Sequence, residues 1–162
     1  MRRIVLIALV LTAVLAVPVA ERRATAAVIP MSVADLALQA PVCLRGQVID
    51  ARAAWTPDGA MIYTTYTIQR SETLIGQVPD LVLVRVPGGD LNGIHIRNGE
   101  APSYIVGEEV VCFLEPEAGL PSYRTFGWFQ GKFTILGGWV RELLTTPYDS
   151  LRQDILEAAA NR

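Results

Sequence analysis

Met61-Ile62-Tyr63-Thr64-Thr65-Tyr66-Thr67-Ile68-Gln69 is the stretch that decides the fold. Ile62, Thr64, Tyr66 and Ile68 alternate with Met61, Tyr63, Thr65, Thr67 and Gln69. Successive side chains of an extended chain point to opposite faces, so this β-branched and aromatic alternation predicts a strand, not a helix. Outward from it, further β-rich runs lie at 42–53, 61–75, 81–86, 94–97, 109–115, 122–128 and 132–136. Between them stand turn residues: Thr56-Pro57-Asp58-Gly59, Pro87-Gly88-Gly89-Asp90, Asn98-Gly99 and Gln130-Gly131. The last two pairs read as tight hairpin connections. All 13 glycines fall between Gly46 and Gly138, which confines the β region to the middle of the chain. Several short strands at this spacing predict a closed barrel or a sandwich.

Helical signals flank that region. Ser32 followed three residues later by Asp35 is an N-terminal capping pattern, and Pro41 stops a short helix near Gln39. Near the other end Thr146 is placed to cap a helix with Pro147 at its first position, running to about Ala159. Leu151, Ile155 and Ala159 then share one face, the face expected to pack on the barrel.

Composition bounds the rest. With 162 residues and 51% apolar content, the chain suits one folded domain and does not fit disorder. One histidine and two cysteines exclude a His or Cys/His metal cluster within the chain. A formal charge of −2 with scattered basic residues removes the footprint of a nucleic-acid binder.

The N-terminus biases these figures. Arg2 and Arg3 precede an apolar run from Ile4 to Ala20, which is interrupted by Thr12 and bent by Pro18. Ala24-Thr25-Ala26 then fits the small-x-small rule, which predicts a cleaved signal peptide over 1–26 and a mature domain over 27–162. A retained anchor is the alternative, at the lower limit of spanning length. Setting aside the four arginines and one glutamate of 1–26 leaves ten basic and fifteen acidic residues, so the mature chain is acidic. The expected location is secreted or periplasmic, with membrane contact only during export.

In an oxidising compartment Cys43 and Cys112 are disulfide candidates. Each also sits in an apolar run, PVCLRG and EVVCFLE, where a small buried residue would serve equally. Both alternatives stand at this level.

Chemistry-bearing residues are sparse. His95 is the only histidine; a triad would join it to Ser71, Ser103 or Ser122, and no nucleophile-elbow pattern surrounds any of them. Its alternation with Ile94 and Ile96 points it to solvent. Glu108-Glu109 and Glu115-x-Glu117 are the nearest things to paired carboxylates. Asp90 lies in the glycine-rich loop 88–93, a candidate for binding an anion or calcium although the alternating oxygen ligands of a calcium loop are missing. A plain turn explains the same residues. Trp128, Phe129, Phe133 and Trp139 gather within 12 residues. Trp128 and Phe129 could not both face the core of an extended strand, so Trp128, Phe129 and Trp139 join Asp90 as candidate binding residues. Large rings closing the corners of a small barrel are the alternative.

The succession ADLALQAPVCLRGQV, IYTTYTI, SETLIGQ, VRVPGGDLNGI, APSYIVGEEVVCFLEP and FGWFQGKFTI resembles a family of secreted bacterial β-barrel domains of unknown function. The resemblance covers about 110 residues, Ala34 to Leu136, and GEEVVCFLEP and GWFQGKF are its most specific pieces. It implies an oligonucleotide/oligosaccharide-binding-type (OB-like) barrel, distantly related to the netrin-like domain of metalloprotease inhibitors. Those inhibitors place an N-terminal cysteine on the protease zinc, whereas the mature N-terminus expected near Ala27 or Val28 has none. The resemblance brings no catalytic residues.

The expected fold is therefore mostly β: a small closed five- to seven-stranded OB-like barrel with a short N-terminal helix and a C-terminal helix. The expected function is an exported, non-catalytic module that binds a protein or glycan and needs no cofactor or metal. An inhibitor or accessory partner of a secreted protease is the alternative, with a small hydrolase behind it.

Overall fold

The computed structural model describes residues 29–162; the signal-peptide assignment lies outside the described residues. The elements run α1 (Val33–Gln39), β1 (Val42–Trp55), β2 (Ile62–Ile75), β3 (Leu81–Pro87), β4 (Gly89–Leu91), β5 (Ile94–Ile96), β6 (Glu109–Pro116), β7 (Tyr123–Thr125), β8 (Lys132–Leu136), β9 (Trp139–Val140) and α2 (Tyr148–Ala159). Short 3-10 turns at Trp128–Gly131 and Arg141–Leu143 precede β8 and follow β9.

β1 pairs antiparallel with β2 along its length and with β6 over Val42–Gln47. β2 pairs with β3, β3 meets β7 in parallel at Val84 and Tyr123, and β7 pairs with β6. The ring β1-β2-β3-β7-β6 therefore closes as a five-stranded barrel, compatible with an OB-like barrel. β8 and β9 are two extra strands, added along the stretch of β6 that β7 leaves free.

Alternation decides what is inside. Ile68 of β2 and Val82, Val84 and Val86 of β3 meet Leu44 and Val110 in the barrel interior. Cys43, Val111, Phe113, Phe133 and Ile135 point the other way, into a second core beneath the two helices. Buried on both faces, β6 is apolar without interruption from Val110 to Leu114. Leu36 of α1 and Leu151 and Ile155 of α2 complete the outer core, with Ala159 packed at its margin. A capping box starts α1: Ser32 Oγ accepts from Asp35 N at 3.1 Å, and the Asp35 carboxylate accepts from Ser32 N at 2.9 Å. At its other end, Arg162 Nε donates to the Ala37 carbonyl at 2.9 Å, giving a last-turn carbonyl a cationic partner.

Several expectations are corrected. Pro147, not Thr146, is the N-cap residue of α2, and no side chain caps it. The run at 94–97 is not a barrel strand; β5 forms a separate hairpin with β4. Its turn is Asn92-Gly93, with φ of +50° and +80°, values that suit the left-handed tolerance of Asn and Gly. Asn98-Gly99 follows that hairpin instead of making one. Gln130-Gly131 closes a 3-10 turn, not a hairpin, and Gly131 is required there because a Cβ would stand 1.8 Å from the Phe126 carbonyl oxygen.

No bridge joins the two disulfide candidates in the structure. Cys43 and Cys112 are free and fully buried. Cys112 pairs with Leu44, one residue beyond Cys43, so the two thiols leave adjacent strands on opposite faces. Cys43 enters the outer core and Cys112 the barrel interior, and side chains that diverge in this way cannot be bridged without backbone movement. Burial pushes the Cys112 thiol up to about 12 and also raises Cys43, the reverse of thiolate activation.

Candidate functional site

Because Tyr66 and Ile68 of β2 and Val82, Val84 and Val86 of β3 face the barrel interior, Tyr63 and Arg85, out of phase with them, stand on its outer surface. The Arg85 guanidinium carbon lies 4.4 Å from the Tyr63 ring centroid, over the ring face, a cation–π contact. Its Nη1 donates to both carboxylate oxygens of Glu117, at 3.2 and 3.3 Å, and Ser122 Oγ donates to the same carboxylate at 2.6 Å. Alongside, Arg124 Nε donates to Glu115 Oε1 at 2.8 Å. Tyr63, Arg85, Glu115, Glu117 and Arg124 line, with Pro87, Pro102 and Trp128, a cleft of about 230 Å³.

Trp128 forms one wall and is 46% exposed. Its backbone sits at φ +58°, an outlier for a bulky residue. The surrounding turn holds it there: Phe129 N donates to the Glu100 carbonyl at 3.1 Å and Gln130 N to the Gly127 carbonyl at 3.2 Å. The Gln130 side-chain amide also accepts from Met31 N at 2.8 Å and donates to the Ile29 carbonyl at 3.1 Å, tying the chain's entry to the turn. Such strain persists where surrounding structure over-determines it, and it clusters at binding sites.

The other candidate residues lie elsewhere. Phe129, 49% exposed, borders a separate depression with Glu108, Lys132 and Glu142. There Lys132 Nζ donates to Glu108 and Thr134, and the Glu142 carboxylate accepts from Thr134 N and Oγ1, so a buried cation is fully partnered. Trp139, 52% exposed, is on β9 opposite Leu136. Asp90 sits on β4 opposite His95 and meets its Nδ1 at 2.5 Å, both side chains open to solvent.

Among the described residues no serine bonds His95: Ser71 Oγ donates to the Arg45 carbonyl, and Ser122 is committed to Glu117. The four carboxylates offered as pairs are each matched to a cation: Glu108 to Lys132, Glu109 to Arg45, Glu115 to Arg124 and Glu117 to Arg85. Among the described residues, no group of three or more His, Cys, Asp or Glu side chains converges to hold a metal ion. No described helix is long and apolar enough to cross a membrane.

Tyr63, Arg85 and Arg124 were not singled out from the sequence, and Glu117 only as a possible carboxylate partner of Glu115. One signal was available: Arg85 is the lone charge in Leu81-Val82-Leu83-Val84-Arg85-Val86, on the outward phase of a strand. The cleft needs residues from β2, β3, β6, β7 and the Trp128 turn, and only folding brings these together. No family model matches the chain, and no curated protein matches it in sequence.

Proposed function

We propose that this is an exported binding module without catalysis of its own, which seats a protein or glycan segment in the cleft between Tyr63 and Trp128. The observation that carries the proposal is Trp128, a half-exposed ring kept at a strained φ beside a pre-organised Tyr63–Arg85–Glu117 stack. At about 230 Å³ the cleft falls below the range of about 300–1,000 Å³ usual for enclosed small-molecule sites. It fits one unit of a longer ligand, such as a sugar ring or a peptide side chain. Its cations and carboxylates are already paired, which supports recognition by stacking and hydrogen bonding over acid–base work. Kinship with the secreted bacterial β-barrel family, and through it a distant one with the netrin-like barrels, is part of the same proposal and is supported by the closed five-strand ring.

The test is a screen of the exported protein on glycan arrays and against extracellular protein fractions, followed by titration calorimetry. The expected result is a ligand whose affinity falls at least tenfold on Trp128→Ala and on Tyr63→Ala. A ligand bound equally well by both variants, or turnover of a substrate at this cleft, overturns the proposal. Mass spectrometry of the exported form should show a start at Ala27 or Val28.

A further inference from the structure

β1 is paired on both sides only as far as Val48. Up to Gln47 it lies between β2 and β6, and at Val48 the far side is taken: Val48 N donates to the Glu108 carbonyl, and the Val48 carbonyl accepts from Gly107 N. Beyond a bulge at Ile49 the strand continues to Trp55, in unbroken register with Thr67 to Ile62. Over that length no described strand pairs with its other edge. Ala51, Arg52, Ala54 and Trp55 are exposed there. Natural sheets blunt such an edge with lysine, proline or an inward charge, because it is a template for another strand. Asp50-Ala51-Arg52-Ala53-Ala54-Trp55 contains neither lysine nor proline, and its two charges, Asp50 and Arg52, are of opposite sign and do not repel a second copy laid antiparallel.

We propose that this edge pairs with the same edge of a second copy, antiparallel, with the two-fold axis at Ala51. Such an interface is isologous, so each contact occurs twice. Centring on Ala51 sets Asp50 of each copy directly opposite Arg52 of the other. Opposite charges facing across antiparallel strands stabilise the pair, and a like pair would oppose it. Both side chains are accessible, at 43% and 84% exposure, and within one chain Asp50 already accepts from Arg52 Nε at 2.7 Å, so all four charges share one face. The same axis sets Trp55 of the second copy level with Gln47, just past the end of the free edge. There Ile105 and Val106 stand 60% and 54% exposed beside Gly107. A ladder this short buries less than the roughly 800 Å² per partner of a standard interface, so the dimer is expected to be concentration-dependent. The edge contains no residue of the Trp128 cleft, so this pairing stands or falls independently of ligand binding there.

Sedimentation velocity over a micromolar to millimolar range tests it with the full exported protein. The wild type should shift from monomer to dimer. Asp50→Arg and Arg52→Asp should each weaken association about tenfold, the factor set by turning two opposite-charge pairs into two like-charge pairs. Mixed together, the two variants should form a heterodimer, and the double swap D50R/R52D should restore self-association. A wild type that stays monomeric throughout overturns the proposal. So do single variants that associate as the wild type does, or variants that fail to complement on mixing while circular dichroism shows them folded.

Discussion

Replacing Trp128 by glycine should leave the protein more stable than replacing it by alanine, the inverse of the usual order. Trp128 is 46% exposed, so a little over half of a side chain that can bury up to about 250 Å² is covered. At roughly 25 cal/mol per Å² that packing contributes about 3 kcal/mol, an upper figure because the unfolded chain also hides some surface. Both truncations lose most of it, about 2 kcal/mol. They differ in the backbone. At φ +58° alanine retains a Cβ that costs roughly 1–2 kcal/mol in the left-handed region, whereas glycine adopts that φ freely. Trp128→Gly should therefore exceed Trp128→Ala by about 1 kcal/mol, even after glycine's larger loss of chain entropy. In urea, with a slope of about 1–3 kcal/mol per M, the midpoints should differ by about 0.5 M. A glycine variant that melts at or below the alanine variant refutes the strain assignment. If the order holds and both variants lose ligand alike, the chain keeps a strained tryptophan for recognition and not for stability.

Two further outcomes follow from the packing. Cys43 and Cys112 should resist a thiol reagent in the native protein and titrate as two thiols after denaturation without reductant; fewer than two would contradict their placement on opposite faces. Burial pushes the Glu72 carboxyl up, but hydrogen bonds from Tyr148 Oη at 2.5 Å and Arg152 Nε at 2.6 Å, with the charges of Arg152 and Arg45, outweigh it and hold the group below its usual range. Its contribution is then fully present above the unfolded value of about 4.3 and lost as pH falls through the folded one, so Glu72→Gln should be less stable than wild type at pH 7 by an amount that shrinks below about pH 4. Urea melts at pH 7, 5 and 3.5 check this, and a gap independent of pH would show that the carboxylate charge is not what joins β2 to α2.

Local chemistry alone determined much of this protein. The alternation of Ile62, Thr64, Tyr66 and Ile68 carried the second strand and told its inner face from its outer one, because side-chain direction follows directly from extended backbone. Ser32 with Asp35 determined α1, and Leu151 with Ile155 determined the buried face of α2, because capping and helical period are set within a few residues. Tertiary structure decided the rest. A register offset of one residue between β1 and β6 sent Cys43 and Cys112 to different cores, and register is a relation between segments about 70 residues apart. The Trp128 stretch reads as strand from its aromatic residues, yet it coils into a 3-10 turn. The reason is the crowding of Gly131 against Phe126 and the anchoring of Phe129 N on Glu100, neither of which is a property of the turn's own residues. The cleft, too, assembles Tyr63, Arg85, Glu117 and Trp128 from four separate segments: single residues can suggest an exposed ring, but only the closure of the barrel decides what stands beside it.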